Sequence, residues 1–122
     1  MEFTHIQYTG WPDFGAPSDT APIITLIKDV RQLIKQSQKS EMINILVHCS
    51  AGVGRTGTLI TLYRMMEELE QLVPKVEGEK STSNLTLDIF NTVFHFRSKR
   101  MYMVSVTILQ LSFKENESTK TM

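Results

Sequence analysis

A chain of 122 residues with 13 Lys+Arg against 13 Asp+Glu has no formal charge at pH 7. That suits one small domain and argues against a nucleic-acid binder or a basic membrane-surface protein, both of which need a cationic excess. Every apolar run falls short of the roughly 18–20 residues of a spanning helix, Met1 to His5 has no signal-peptide pattern, and one Cys with three His provides neither an internal disulfide nor a self-contained tetrahedral zinc site.

Phe3 to Tyr8 alternates, with Thr4, Ile6 and Tyr8 on one side, and reads as a short strand entering a loop. The loop from Trp11 to Pro17 contains two prolines and Gly15, after which Ser18 or Asp19 caps a helix reaching about Gln36. Ile23, Ile27, Val30 and Ile34, with Ile24, Leu26 and Leu33 beside them, recur at helical spacing, a face suited to packing on a sheet. Ile43 to Val47 is brief, β-branched and apolar, the pattern of a central strand covered on both sides.

From Arg55 a second helix is marked by Leu59, Leu62, Tyr63, Met66 and Leu69 and stops near Pro74. After the polar stretch 75–83, Ser83 or Asn84 caps a third helix with Leu87, Phe90, Val93 and Phe94 inward. Residues 101–113 are apolar and helical from about Thr107, and 114–122 form a frayed tail. Met65, Met66, Met101 and Met103 read as core filling, and His5 and His95 as structural. No repeat or domain boundary interrupts the chain. The expected class is α/β: part of a mixed central sheet flanked by helices, with a phosphate-binding loop between a buried strand and a helix.

That loop is His48-Cys49-Ser50-Ala51-Gly52-Val53-Gly54-Arg55-Thr56-Gly57. Successive backbone N–H groups in a tight glycine-containing turn form a concave nest, and the helix that follows adds unpaired N–H groups and a partial positive charge. Such a turn binds an anion. Arg55 follows the cysteine closely enough to fold back and grip two phosphate oxygens with its planar fork, which a lysine does poorly. The same field favours a thiolate at Cys49, a nucleophile aimed at a bound phosphorus. Thr56 is positioned to hydrogen-bond the sulfur, and His48 to orient the loop.

Two other readings compete. Gly52 to Gly57 formally matches the dinucleotide fingerprint G-x-G-x-x-G. That fold wants an acidic residue at the end of a second strand, whereas Glu67, Glu68 and Glu70 lie on the expected helix, and Arg55 occupies space a pyrophosphate needs. The plainer alternative, a buried structural Cys49 with Arg55 as a surface charge, leaves the paired glycines and the arginine spacing unexplained.

His48 to Gly57 resembles the signature loop of the protein tyrosine phosphatases in full, and Trp11-Pro12-Asp13 resembles their mobile acid loop. Gln7 to Gly10, Arg64 to Glu68, Phe90 to Val93 and Phe96 to Arg100 extend the likeness over most of residues 3–113, with details closer to the tyrosine-specific, receptor-type branch. The resemblance implies that Cys49 is the nucleophile, Arg55 and the backbone of Ser50, Ala51, Gly52, Val53 and Gly54 bind phosphate, and Asp13 is the general acid, with Trp11, His48 and Thr56 in support. It implies phosphotyrosine-containing proteins as substrates, no metal or other cofactor, no nucleic-acid partner, no membrane contact by this segment, and a cytoplasmic setting such as the intracellular part of a receptor. The formal sequons at Asn84 and Asn116 are then expected to be unused.

The likeness has departures. Gln110 resembles the second glutamine of the family's water-positioning loop, while Val106 and Thr107 fall near the place of the first. Valine cannot orient water, so slow phosphoenzyme hydrolysis is expected. The family's domain is longer, and the part before the acid-loop strand, with its tyrosine-bearing loop, has no counterpart. Residues 1–122 therefore look like its C-terminal portion, with open sheet edges and a weak fold expected of the isolated chain. The rival reading is a phosphotyrosine-binding pseudophosphatase without turnover, in which Cys49 and Asp13 would have no use.

Overall fold

The computed structural model describes residues 3–12, 15–37, 43–76 and 87–104. Three helices run through them: α1 (Ala21–Ser37), α2 (Gly54–Val76) and α3 (Ile89–Lys99). The expected α/β class is corrected: among the described residues there is no strand and no sheet. A strand exists by exchanging backbone hydrogen bonds with a neighbour, and neither 3–8 nor 43–47 has one. Their apolar side chains are open, with Phe3 82%, Ile45 52% and Leu46 89% exposed. The glycine-containing loop that begins at His48 thus follows an uncovered irregular segment, not a buried strand.

The helices themselves follow from local chemistry. At the start of α1 the Asp19 carboxylate accepts the Ala21 N–H at 2.9 Å, and the Thr20 carbonyl accepts from Ile23 and Ile24. One stripe of the helix buries Ile23 and Ile27, with Val30 and Ile34 half-buried below them. These residues pack on Trp11, with Tyr8, Leu59, Leu62, Tyr63 and Met66 completing the core. The stripe therefore meets another helix and Trp11 instead of a sheet. Arg31 reaches across from α1 to Glu70 on α2 at 2.5 Å and lies over the Tyr63 ring, 5.4 Å from its centroid. Such a pair, half open to water, adds on the order of 1 kcal/mol or less.

The α2 helix continues to Val76, two residues past the proline expected to stop it. The α3 helix is capped by Asp88, whose carboxylate accepts the Asn91 N–H at 2.9 Å. Its inner face is narrower than the sequence suggests: Val93 is buried, but Phe90 and Phe94 are 76% and 64% exposed and stack on each other. Met65 and Met103 are buried, whereas Met101 is exposed. Contacts join α2 to both α1 and α3, and the turn after α3 folds back onto the start of α2. The Ser83 or Asn84 cap, the sequons, the helix from Thr107 and the tail 114–122 lie outside the described residues.

Candidate active site

Cys49 lies just before the first turn of α2, half-buried. Gly52 takes φ +71°, a conformation costly for a residue with a Cβ, and in that turn its N–H donates to Cys49 Sγ at 3.2 Å. Burial alone raises the thiol pKa, but the Thr56 hydroxyl and the amides of Thr56, Gly52 and Val53 outweigh it and draw the value down to about 7. The Thr56 hydroxyl is buried and has no hydrogen bond of full geometry among the described residues. A buried donor without an acceptor is costly, and an anionic sulfur beside it supplies one. Amide donors and a helix N-terminus thus converge on Cys49, the electrostatic setting of a reactive cysteine.

Arg55 does not point outward. Its guanidinium donates to Ser50 Oγ at 2.8 Å and to the Trp11 carbonyl at 3.4 Å. The fork therefore lies over the loop and bridges to the segment that carries Asp13. Trp11 is buried against α1 and donates from its indole N–H to the Gly15 carbonyl at 3.2 Å. Asp13 and Gln110 themselves lie outside the described residues.

Comparison with known proteins decides the family. Residues 1–114 match the family described as protein-tyrosine phosphatase. The chain belongs to the protein-tyrosine phosphatase family. It is 36% identical over 101 residues to the rat receptor-type tyrosine-protein phosphatase zeta, covering 83% of this chain and 4% of that protein. It is 39% identical over 105 residues to the rat receptor-type tyrosine-protein phosphatase C, covering 86% of this chain and 7% of that protein. Protein-tyrosine-phosphatase PTP1 of Arabidopsis thaliana is 36% identical over 104 residues, covering 85% of this chain and 26% of that protein. The chain thus spans a small part of the length of each of these phosphatases.

The remaining loop residues of this phosphatase-family chain are placed as follows. Ser50 supplies an acceptor to Arg55, and Gly54 opens α2 with its carbonyl accepting from Thr58 Oγ1. His48 is exposed. No group of three or more His, Cys, Asp or Glu among the described residues is arranged to hold a metal ion, and no described helix is long and apolar enough to cross a membrane.

Sequence reasoning did not assign roles to the residues that brace the loop from behind. Arg100 donates to the Ala51 carbonyl at 3.3 Å, and the Val104 N–H donates to the Val53 carbonyl at 3.0 Å. Gly57 lets this turn approach, because a Cβ there would overlap the Val104 backbone nitrogen. The available signal was the pair Arg97 and Arg100, three apart at a helix end and so on one face.

Proposed function

We propose that this chain contributes the phosphate-binding and nucleophilic half of a protein-tyrosine phosphatase reaction, in which Cys49 attacks phosphotyrosine. The observation that carries this reading is the Cys49 thiol, drawn to about 7 and held by the Gly52 N–H at 3.2 Å. A group with that pKa is substantially ionised at neutral pH, and a thiolate, not a thiol, is the nucleophile.

In the proposed reaction the Cys49 sulfur forms a bond to phosphorus as the bond to the tyrosine oxygen breaks. The Asp13 carboxyl gives its proton to the departing phenolate, whose conjugate acid has a pKa of about 10. Water then attacks the phosphocysteine, passes a proton to the Asp13 carboxylate, and releases inorganic phosphate with return of the thiolate. Amides of residues 50–54 and the Arg55 fork carry the charge on the equatorial oxygens, the main electrostatic contribution to phosphoryl transfer. No step calls for a metal. The substrates are phosphotyrosine-containing proteins, and a reducing cytosol keeps the single thiol available.

The test is phosphate release from a phosphotyrosine peptide, with and without chelator. Release that persists in chelator and vanishes in Cys49→Ser, while the variant still binds the peptide, supports the reading. Release by Cys49→Ser, or its abolition by chelator alone, refutes it. Peptide binding by the unaltered chain without release selects the pseudophosphatase reading instead.

A further inference from the structure

The turn after α3 holds its shape against local preference. Tyr102 and Val104 adopt φ +64° and +63°, a left-handed region that is rare for residues other than glycine, asparagine and aspartate and is an outlier for a β-branched side chain. Strain of this kind persists only where surrounding contacts impose it, and it concentrates at functional sites. Here the imposing contacts come from Arg97: its Nε donates to the Met103 carbonyl at 2.9 Å and its second terminal nitrogen to the Val104 carbonyl at 2.8 Å. The two acceptors are backbone groups of adjacent residues, so the rigid fork fixes a peptide unit rather than a side chain.

The consequence runs into the phosphate loop. Val104, 3% exposed, donates its N–H to the Val53 carbonyl at 3.0 Å, and the same carbonyl accepts the Gly57 N–H at 3.1 Å. One acceptor thus joins the strained turn to the first turn of α2, and the amide of that same residue, Val53, faces the Cys49 sulfur.

We propose that Arg97 is a positioning residue for the nucleophile: by gripping the Met103 and Val104 carbonyls it holds the Val104 N–H on Val53 and so keeps the loop amides aimed at the Cys49 sulfur. Arg97 touches neither the sulfur nor a substrate. The other charged groups near the loop are held by partners other than Arg97: Arg55 is bonded to Ser50 and Trp11, and Arg100 to the Ala51 carbonyl. Lys99 and His48 are exposed. This inference rests on the reading of Cys49 as a thiolate nucleophile.

The test is the pH profile of Cys49 alkylation by iodoacetamide in the full chain, for the unaltered protein, Arg97→Ala and Arg97→Lys, with helical circular dichroism recorded for each. The unaltered profile is expected to have its midpoint near 7. Arg97→Ala is expected to move it upward by about one pH unit, as for an anion that loses one well-aimed donor, and Arg97→Lys to recover less than half of that shift because an ammonium cannot bridge two carbonyls. An unshifted midpoint in variants that keep their helices overturns the inference alone. Loss of helical signal in both variants also overturns it, because Arg97 then serves the fold and not the site. An ordinary alkaline midpoint in the unaltered chain refutes the thiolate reading itself, which separates the two failures.

Discussion

Arg55 donates to the backbone carbonyl of Trp11 at 3.4 Å, a bond between positions 44 apart that ties the start of α2 to the Trp11 segment. The guanidinium proposed to bind phosphate donates here to Ser50 and Trp11. An anion bound at the loop is expected to compete with Ser50 Oγ and the Trp11 carbonyl for the same donors, which would couple loop occupancy to the Trp11 segment through one side chain.

Trp11, the single tryptophan, reports that coupling. Titration with inorganic phosphate or vanadate is expected to change its fluorescence, since the ring sits in the core next to the carbonyl that Arg55 holds. Arg55→Lys is expected to weaken the titration on the order of thirtyfold, about 2 kcal/mol, because an ammonium replaces the fork with a single point charge. Equal affinity in the two proteins would show that the arginine does not face the anion.

The Thr56 hydroxyl supplies a second test. It is the strongest of the influences that lower the Cys49 pKa, against the opposing effect of burial. Thr56→Ala is expected to raise the alkylation midpoint above about 7, and Thr56→Ser to leave it close to the unaltered value, since only the hydroxyl matters. The sign for stability follows from the same direction. A thiol with its folded pKa below the unfolded value adds stability at alkaline pH, and the contribution fades as pH falls through about 7. Urea midpoints of the unaltered chain and Cys49→Ser are therefore expected to diverge as pH rises from 6 to about 9.

The local geometry of the loop from Cys49 to Arg55 was more legible in the sequence than the fold, for a physical reason. The Cys49 to Arg55 segment is a local object whose turn chemistry is set by Gly52 and by the start of α2, so residue types and spacing specify it. The α1 stripe of Ile23 and Ile27 was legible for the same reason, though not what it would pack against. Ile43 to Val47 has the composition of a covered strand, but a strand depends on a partner elsewhere, and Ile45 and Leu46 stand open without one. Val104 at φ +63° was illegible in principle: nothing in a valine announces a conformation that valine avoids, and the contacts that hold it, the Arg97 fork and the Val53 carbonyl, are not visible from its own residue type.

The close approach at Gly57 gives a stability prediction. Any Cβ there would run into the Val104 nitrogen and lie 3.1 Å from the Met103 carbonyl carbon, both backbone atoms that cannot rotate away. Gly57→Ala is expected to destabilise the chain by about 1–3 kcal/mol, the usual cost of overpacking. It should also push the turn 102–104 off α2. Urea unfolding measures the first effect, and an upward shift of the Cys49 alkylation midpoint measures the second. A variant as stable as the unaltered chain would mean that the 102–104 turn does not rest on α2 in solution.

Ile27 anchors the cluster that α1 forms with Trp11. At 1% exposed it is the most completely buried large side chain among the described residues, and it shares its cluster with Trp11 and Ile23. Ile27→Ala removes three carbons from that cluster and is expected to cost about 2–5 kcal/mol, a large share of the stability of so small a domain. The cavity opens against the Trp11 ring, so the loss should reach the site as well as the fold. Trp11 fluorescence is expected to shift to longer wavelength and its response to phosphate to weaken, while the Cys49 alkylation midpoint, set by donors on the α2 side, stays near 7. A urea midpoint unchanged by the substitution would place Ile27 outside any cooperative core. A midpoint of alkylation that moved with it would show that α1 also shapes the nest, through contacts other than the loop amides.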